Sequence, residues 1–217
     1  MSSLKTLLAA AAIIGTLGGC ATAVIGGAVV GANAIANRRT IGTQTEDEGL
    51  ELRIRQKAYA LIRQSNTGSG ATLSVISYNR KVLLLGQVPN ENDRQLAEQA
   101  ARSEPQAQTV YNYINVSPQT RTIANINYDT WLTSKIRSKL LALGTSGVYP
   151  GHVKVVTFNS TAYVFGLLTP AQQTLVTNTV RTTAGIQQVV TLYENYYAHL
   201  PRRQNPPLPH NNAFQAA

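Results

Sequence analysis

The chain repeats itself at about eighty residues, and nothing else in it constrains the fold as strongly. Val75, Tyr78-Asn79, Gly86, Leu96 and Ala100 match Val155, Phe158-Asn159, Gly166, Val176 and Val180. Upstream the offset slips by two, so that Asp47, Leu50, Ile54 and Ala58 match Asp129, Leu132, Ile136 and Leu140. The slip falls at Ser65–Gly70 and Gly144–Gly151, where Gly and Ser cluster as loop residues do. A duplicated unit of this size must bury its own core twice, and each copy alone is small enough to be marginal.

Each copy reads as helix, strand, strand, helix, strand. In the second, Asp129 is placed to cap a helix, and Leu132, Ile136, Leu140 and Leu143 recur on one helical face. Val153/Val155 and Tyr163/Phe165/Leu167 alternate as half-buried strands, with a turn at Asn159-Ser160. Thr169-Pro170-Ala171-Gln172 is a capping-box start with proline at the first helical position. Gly185 is expected to stop that helix, and Val189–Tyr196 to form the last strand. In the first copy Asn90 opens the second helix, Pro105 ends it, and Val110–Val116 is the final strand. Gly86 and Gly166 are read as structural glycines that allow a close backbone approach or a bulge. The expected fold is α+β: two αββαβ domains, each with two helices on a three-stranded mixed sheet, packed on each other.

Ahead of the repeats, Lys5 and the apolar stretch from Leu7 to Leu17 form a secretory signal that ends in Leu17-Gly18-Gly19-Cys20. A cysteine directly after small residues at the cut resembles the bacterial lipobox, in which the cysteine becomes the acylated first residue. Cys20 is thus the expected lipid attachment site, and it is the only cysteine, so no intramolecular disulfide is available. The competing readings are a membrane span, since Leu7 to Ala36 carries no charge, and a buried free thiol. Gly26-Gly27 and Gly31 weaken the span as a helix. The expected organisation is signal 1–19, lipidated flexible tether 20–46, first domain 47–117, linker 118–127, second domain 128–197, and a disordered Pro-rich tail 198–217.

The formal charge is +9. It is spread over linkers, tail and second repeat, because the first repeat nearly balances its eight Lys/Arg with seven Asp/Glu. Such an excess suits an anionic surface, and export selects phospholipid over nucleic acid.

The lipobox, the Gly/Ala/Val stretch after it, the segment Arg39-Thr40-Ile41-Gly42-Thr43-Gln44 and the two repeats with Gly86 and Gly166 resemble the dual-BON-domain outer-membrane lipoproteins of Gram-negative bacteria, the DolP-like family. The most specific piece is Asp129-Thr130-Trp131-Leu132-Thr133-Ser134-Lys135-Ile136-Arg137-Ser138, which is similar to the first helix of that family's second domain. The resemblance implies two tandem BON domains on a lipoprotein of the outer membrane that faces the periplasm. It further implies binding of anionic phospholipid (phosphatidylglycerol, cardiolipin), concentration at division sites, and support of membrane integrity. Ala21 after Cys20 resembles the pattern that sorts a lipoprotein to the outer membrane.

At 100° per residue, Trp131 lies roughly 135° from the Leu132/Ile136/Leu140/Leu143 stripe. It shares its side with Lys135, Ser138, Lys139 and Ala142, while the matching residue of the first repeat is Gly49. A tryptophan beside two lysines suits the headgroup layer of a bilayer. It equally suits packing against the neighbouring domain, with the lysines as a solvated face. The expected membrane-contacting residues are therefore Trp131, Lys135, Ser138, Lys139 and Ala142. Catalysis is not indicated: His152, His199 and His210 stand apart, with no metal-ligand spacing and no phosphate loop. Neither a metal nor a cofactor is expected. The alternative function is a periplasmic protein-interaction module, accessory to envelope assembly.

Overall fold

The computed structural model describes residues 38–39 and 41–196. The segments expected as signal and tail, Cys20 and most of the expected tether lie outside them. The order is α1 (Ile41–Ser65), β1 (Thr72–Tyr78), β2 (Lys81–Val88), α2 (Glu91–Arg102), β3 (Thr109–Val116), α3 (Ile123–Leu141), β4 (Val153–Phe158), β5 (Thr161–Leu168), α4 (Pro170–Arg181) and β6 (Gln188–Asn195). Two short 3-10 turns, Ala142–Ser146 and Pro150–His152, join α3 to β4. The strands form two mixed sheets, β1-β2-β3 and β4-β5-β6. In each, the first pair is an antiparallel hairpin and the second pair is parallel, with α2 or α4 as the crossover. This is the α+β, twice-αββαβ architecture.

Each pair of helices covers one face of its sheet. Leu50, Ile54, Ala58 and Ile62 of α1 meet Val75, Val82, Leu84 and Ala97 in the first core, and Ile136, Val155, Val164, Val176 and Val180 build the second. The other faces of the two sheets meet each other. Ile76, Tyr78, Leu83 and Leu85 of the first sheet pack with Phe158, Tyr163, Phe165 and Leu192 of the second. Tyr78 stacks on Phe165 at 5.9 Å, and Tyr113 meets the edge of Tyr163 at 5.1 Å. The Tyr78 hydroxyl donates to the His152 carbonyl at 2.8 Å. Asn79 and Lys81 reach Glu194, and Lys154 reaches Glu51 at 2.5 Å. The layers thus run helices, sheet, sheet, helices. This corrects the reading of β5 as half-buried: Ala162 and Val164 face the helices, Tyr163 and Phe165 face the other sheet, and both faces are covered. Burial pushes the phenols of Tyr78 and Tyr163 up to about 12.

Three further expectations need correction. Asp129 does not cap α3. The helix starts six residues earlier at Ile123, capped by the Thr122 hydroxyl, and Asp129 is buried within it. Its carboxylate accepts the backbone N–H groups of Asn159 (2.8 Å) and Ser160 (3.0 Å) and pairs with Arg121. Asn159 and Ser160 both have positive φ, as the tight turn of a two-residue hairpin requires. The first domain repeats the device: Asp47 takes the N–H groups of Asn79 and Arg80 and pairs with Arg39. Arg39 lies over the Tyr78 ring and Arg121 over Phe158. The repeat therefore begins earlier than Asp47, since Arg39-Thr40-Ile41 recurs as Arg121-Thr122-Ile123. The last residues assigned to the tether and to the linker are helical. Finally, Gly185 does not stop α4, which ends at Arg181 with Thr182 as its cap. Gly185, at φ 101°, instead turns the chain toward β6.

The second helices also fix the alignment. Asn90 caps α2 as Thr169 caps α4, so Ala97 and Ala101 match the buried Val176 and Val180 rather than Leu96 and Ala100 doing so.

Gly86 has φ 137°, and a Cβ there would lie 2.0 Å from the Thr72 carbonyl oxygen. Gly166 has an ordinary φ, and its Cβ would crowd the movable Leu168 side chain at 2.8 Å. Only the first position demands glycine through its backbone.

Candidate lipid-facing site on the second domain

The exposed face of α3 carries Trp131, which is 52% exposed. Its ring stacks on Tyr128 at 5.8 Å with 27° between planes, and Lys135 Nζ lies 4.6 Å from its centroid. The tryptophan thus packs neither into its own core nor between the sheets. Tyr128 closes one side of it, with its hydroxyl against Gly185, where a Cβ would approach to 2.7 Å. Tyr128 precedes the helix start expected at Asp129, so the sequence alone leaves it off this face. Once Ile123 is the start, Tyr128 and Trp131 stand at i and i+3, adjacent on one face.

Lys135 donates to the Ala184 carbonyl (3.1 Å) and Lys139 to the Thr182 carbonyl (3.4 Å). These carbonyls belong to the turn that ends α4, the negative end of its dipole, where a cation is favoured. Each ammonium keeps further donors for a second ligand. Ser138 turns its hydroxyl back to the Ser134 carbonyl at 3.1 Å and presents no free donor. Ala142, at the start of the first 3-10 turn, is exposed and apolar. Leu141, 61% exposed, extends the apolar side of the face; it lies off the core stripe, which is why the periodicity did not single it out.

The first domain has the same cations, also at the surface, but paired with a carboxylate. Arg53 and Lys57 hold the positions of Lys135 and Lys139, but Arg53 pairs with Glu104 at 3.1 Å and Lys57 with the same carboxylate at 3.8 Å. Gly49 stands where Trp131 does, and a Cβ there would meet Arg53 at 3.2 Å. In the second domain the position matching Glu104 is Thr183. Both carboxylates of that domain are occupied elsewhere, Asp129 by Arg121 and Glu194 by Asn79 and Lys81. Among the described residues, Lys135, Arg137, Lys139 and Arg181 have no carboxylate within ion-pair distance. No described helix is long and apolar enough to cross a membrane, and the described residues hold no cluster suited to a metal ion.

Two αββαβ domains joined through their sheets, with an aromatic and basic helix face on one, define a tandem α+β module. The BON domain family profile matches residues 51–118 and 128–192. The chain is 33% identical over 178 residues, 82% of its length and 89% of the relative's, to the outer membrane lipoprotein DolP of Haemophilus influenzae. It is 35% identical over 152 residues, 70% of its length and 75% of the relative's, to a 21 kDa hemolysin of Actinobacillus pleuropneumoniae. Among solved structures it is similar to CdsD, a structural protein of the type III secretion system of Chlamydia trachomatis, at 13% identity and a TM-score of 0.28, over 67% of this chain and 93% of that one. The chain belongs to the BON-domain family, as a dual-BON protein of the DolP type.

Proposed function

We propose that the protein is an outer-membrane lipoprotein, anchored through acylated Cys20, whose second BON domain binds anionic phospholipid through the Trp131 face of α3. The observation that carries this is the contrast between the two copies of one site. Where the first domain has glycine and cations neutralised by Glu104, the second has an exposed indole and cations without carboxylates. An indole at headgroup depth buries its ring and keeps its N–H hydrogen-bonded. Tyr128 and Leu141 widen the apolar contact, and each nearby cation adds about 1 kcal/mol against an anionic surface. The acyl anchor holds the protein on the membrane, since several chains together anchor stably. The lipid-facing helix then decides where in that membrane it gathers. We expect that choice to concentrate the protein at division sites and to support membrane integrity; the relative named an outer membrane lipoprotein supports the outer-membrane assignment alone.

The experiment is flotation of the unlipidated chain with phosphatidylglycerol, cardiolipin or phosphatidylethanolamine vesicles, read together with tryptophan fluorescence. Trp131 is the only tryptophan. We expect its emission to shift to the blue with anionic vesicles only, and the shift to weaken as salt rises. Trp131→Ala and Lys135→Glu/Lys139→Glu should abolish flotation while leaving the melting temperature within a few degrees. Binding that requires a second protein, with none to pure lipid, would favour an envelope-assembly interaction module instead. Cys20→Ala should leave the precursor uncleaved or the product free in the periplasm; undiminished fractionation with the outer membrane would remove the anchor assignment.

A further inference from the structure

The two domains receive the chain ahead of each first helix in matching ways, except at one residue. Arg39 and Arg121 are equivalent: each pairs with the aspartate eight residues on and covers the aromatic ring at its hairpin. The residues before them, Arg38 and Thr120, are therefore equivalent too. Arg38 enters a cleft at the end of the second sheet. Its guanidinium donates to the Leu167 carbonyl (2.6 Å) and to Gln172 Oε1 (2.8 Å), and it lies over the Tyr196 ring at 4.0 Å.

The matching cleft of the first domain is open. It has a volume of about 240 Å³ and is lined among others by Ser69, Gln87, Pro89, Ser117 and Thr120. Gln87 holds the position of Leu167, Ser117 that of Tyr196, and Thr120 that of Arg38. Thr120 is too short to fill what an arginine fills in the twin. At the position of Gln172 stands Asp93, the third residue of each crossover helix. Asp93 is fully buried behind Ser69. One carboxylate oxygen accepts the Ser69 hydroxyl at 2.5 Å, and the other has no hydrogen-bond partner. Among the described residues no cation lies within ion-pair distance of it. The N-terminus of α2 compensates part of its charge, but a buried carboxylate with an unpaired oxygen costs free energy until a cation approaches.

We infer that the first-domain cleft is a binding site for a guanidinium group, an arginine side chain presented on an extended segment. The Gln87 carbonyl, which accepts the Thr72 hydroxyl at 3.3 Å, carries a second lone pair to offer as Leu167 does for Arg38; Pro89 supplies an apolar wall, and Asp93 supplies the counter-charge through Ser69. The bonds are charge-assisted and suit the planar fork of arginine better than the point charge of lysine. The site is independent of the lipid-facing helix, and its failure leaves that reading untouched.

The test titrates the mature chain with N-acetyl-arginine amide, against the neutral N-acetyl-citrulline amide, and follows backbone amide resonances. Saturable shifts confined to Ser69, Gln87, Asp93, Ser117 and Thr120, with arginine only, are expected. Thr120→Arg, which fills the cleft from within as Arg38 fills its twin, should abolish them and raise the melting temperature. Asp93→Asn should weaken binding at least about tenfold, a change worth about 1.4 kcal/mol. Arg202→Ala/Arg203→Ala separates sources: tighter binding of the added amide in that variant means that the chain's own tail competes for the cleft, and unchanged binding assigns the cleft to an arginine from elsewhere. Equal response to citrulline, or undiminished binding in Thr120→Arg, overturns the assignment.

Discussion

Asp129 was visible as a cap residue from its type and place, yet its work is done thirty residues away. A carboxylate at a helix start and a carboxylate holding a distant hairpin look alike in a linear reading, because the bonds that distinguish them cross the fold. Removing it strands Arg121, which is largely buried, and two backbone N–H groups. Asp129→Ala should cost about 3–5 kcal/mol, as losing one partner of a buried pair does, and Asp47→Ala should match it; denaturant unfolding measures both. The glycines make the opposite lesson. Gly86 and Gly166 align in sequence but differ in backbone, so the repeat could not rank them. Gly86→Ala should lose about 1–3 kcal/mol from conformation alone, with the clash against Thr72 added. Gly166→Ala should lose less, because the Leu168 side chain can move.

Among the elements, β4, β5 and the start of α4 were legible nearly in full, through alternation, turn residues and a capping box. The start of α3 was not. Residues 123–128 offer two isoleucines and a tyrosine to solvent, and an exposed apolar turn carries no amphipathic signal. Thr122→Ala should cost about 0.5–2 kcal/mol as the loss of a helix cap, whereas capping at Asp129 would leave it neutral; thermal melting distinguishes them. The same extension places Tyr128 beside Trp131. Tyr128→Ala should therefore reduce vesicle binding with little change in fold, while a change at Gly49 should leave binding intact.

At the level of the molecule, the two sheets cover each other. A fragment carrying the second domain alone would expose Phe158, Tyr163, Phe165 and Leu192 together, an apolar patch that favours association. Residues 118–217 alone should aggregate or bind a hydrophobic dye, and the full chain should melt in one transition. The interface also predicts alkaline lability. Tyr78 and Tyr163 titrate at about 12 in the fold, against an ordinary value of 10.0. Between those values the unfolded chain holds fewer protons than the folded one, so stability falls as pH rises. Denaturant midpoints measured from pH 9 to 12 should decline, and Tyr78→Phe/Tyr163→Phe should flatten the decline.

Duplication, element order, the two helix-facing cores and the outward aim of Trp131 could all be read along the chain, because each depends on local periodicity and on comparing one copy with the other. The pairing of sheets could not, since a strand buried on both faces shows the same apolar run whatever covers it. Nor could the fates of the cations: Arg53 meets Glu104 across 51 positions, and Lys135 meets a carbonyl across 49. Whether a charge is neutralised depends on which distant group the fold brings to it, and that is a property of the packed chain.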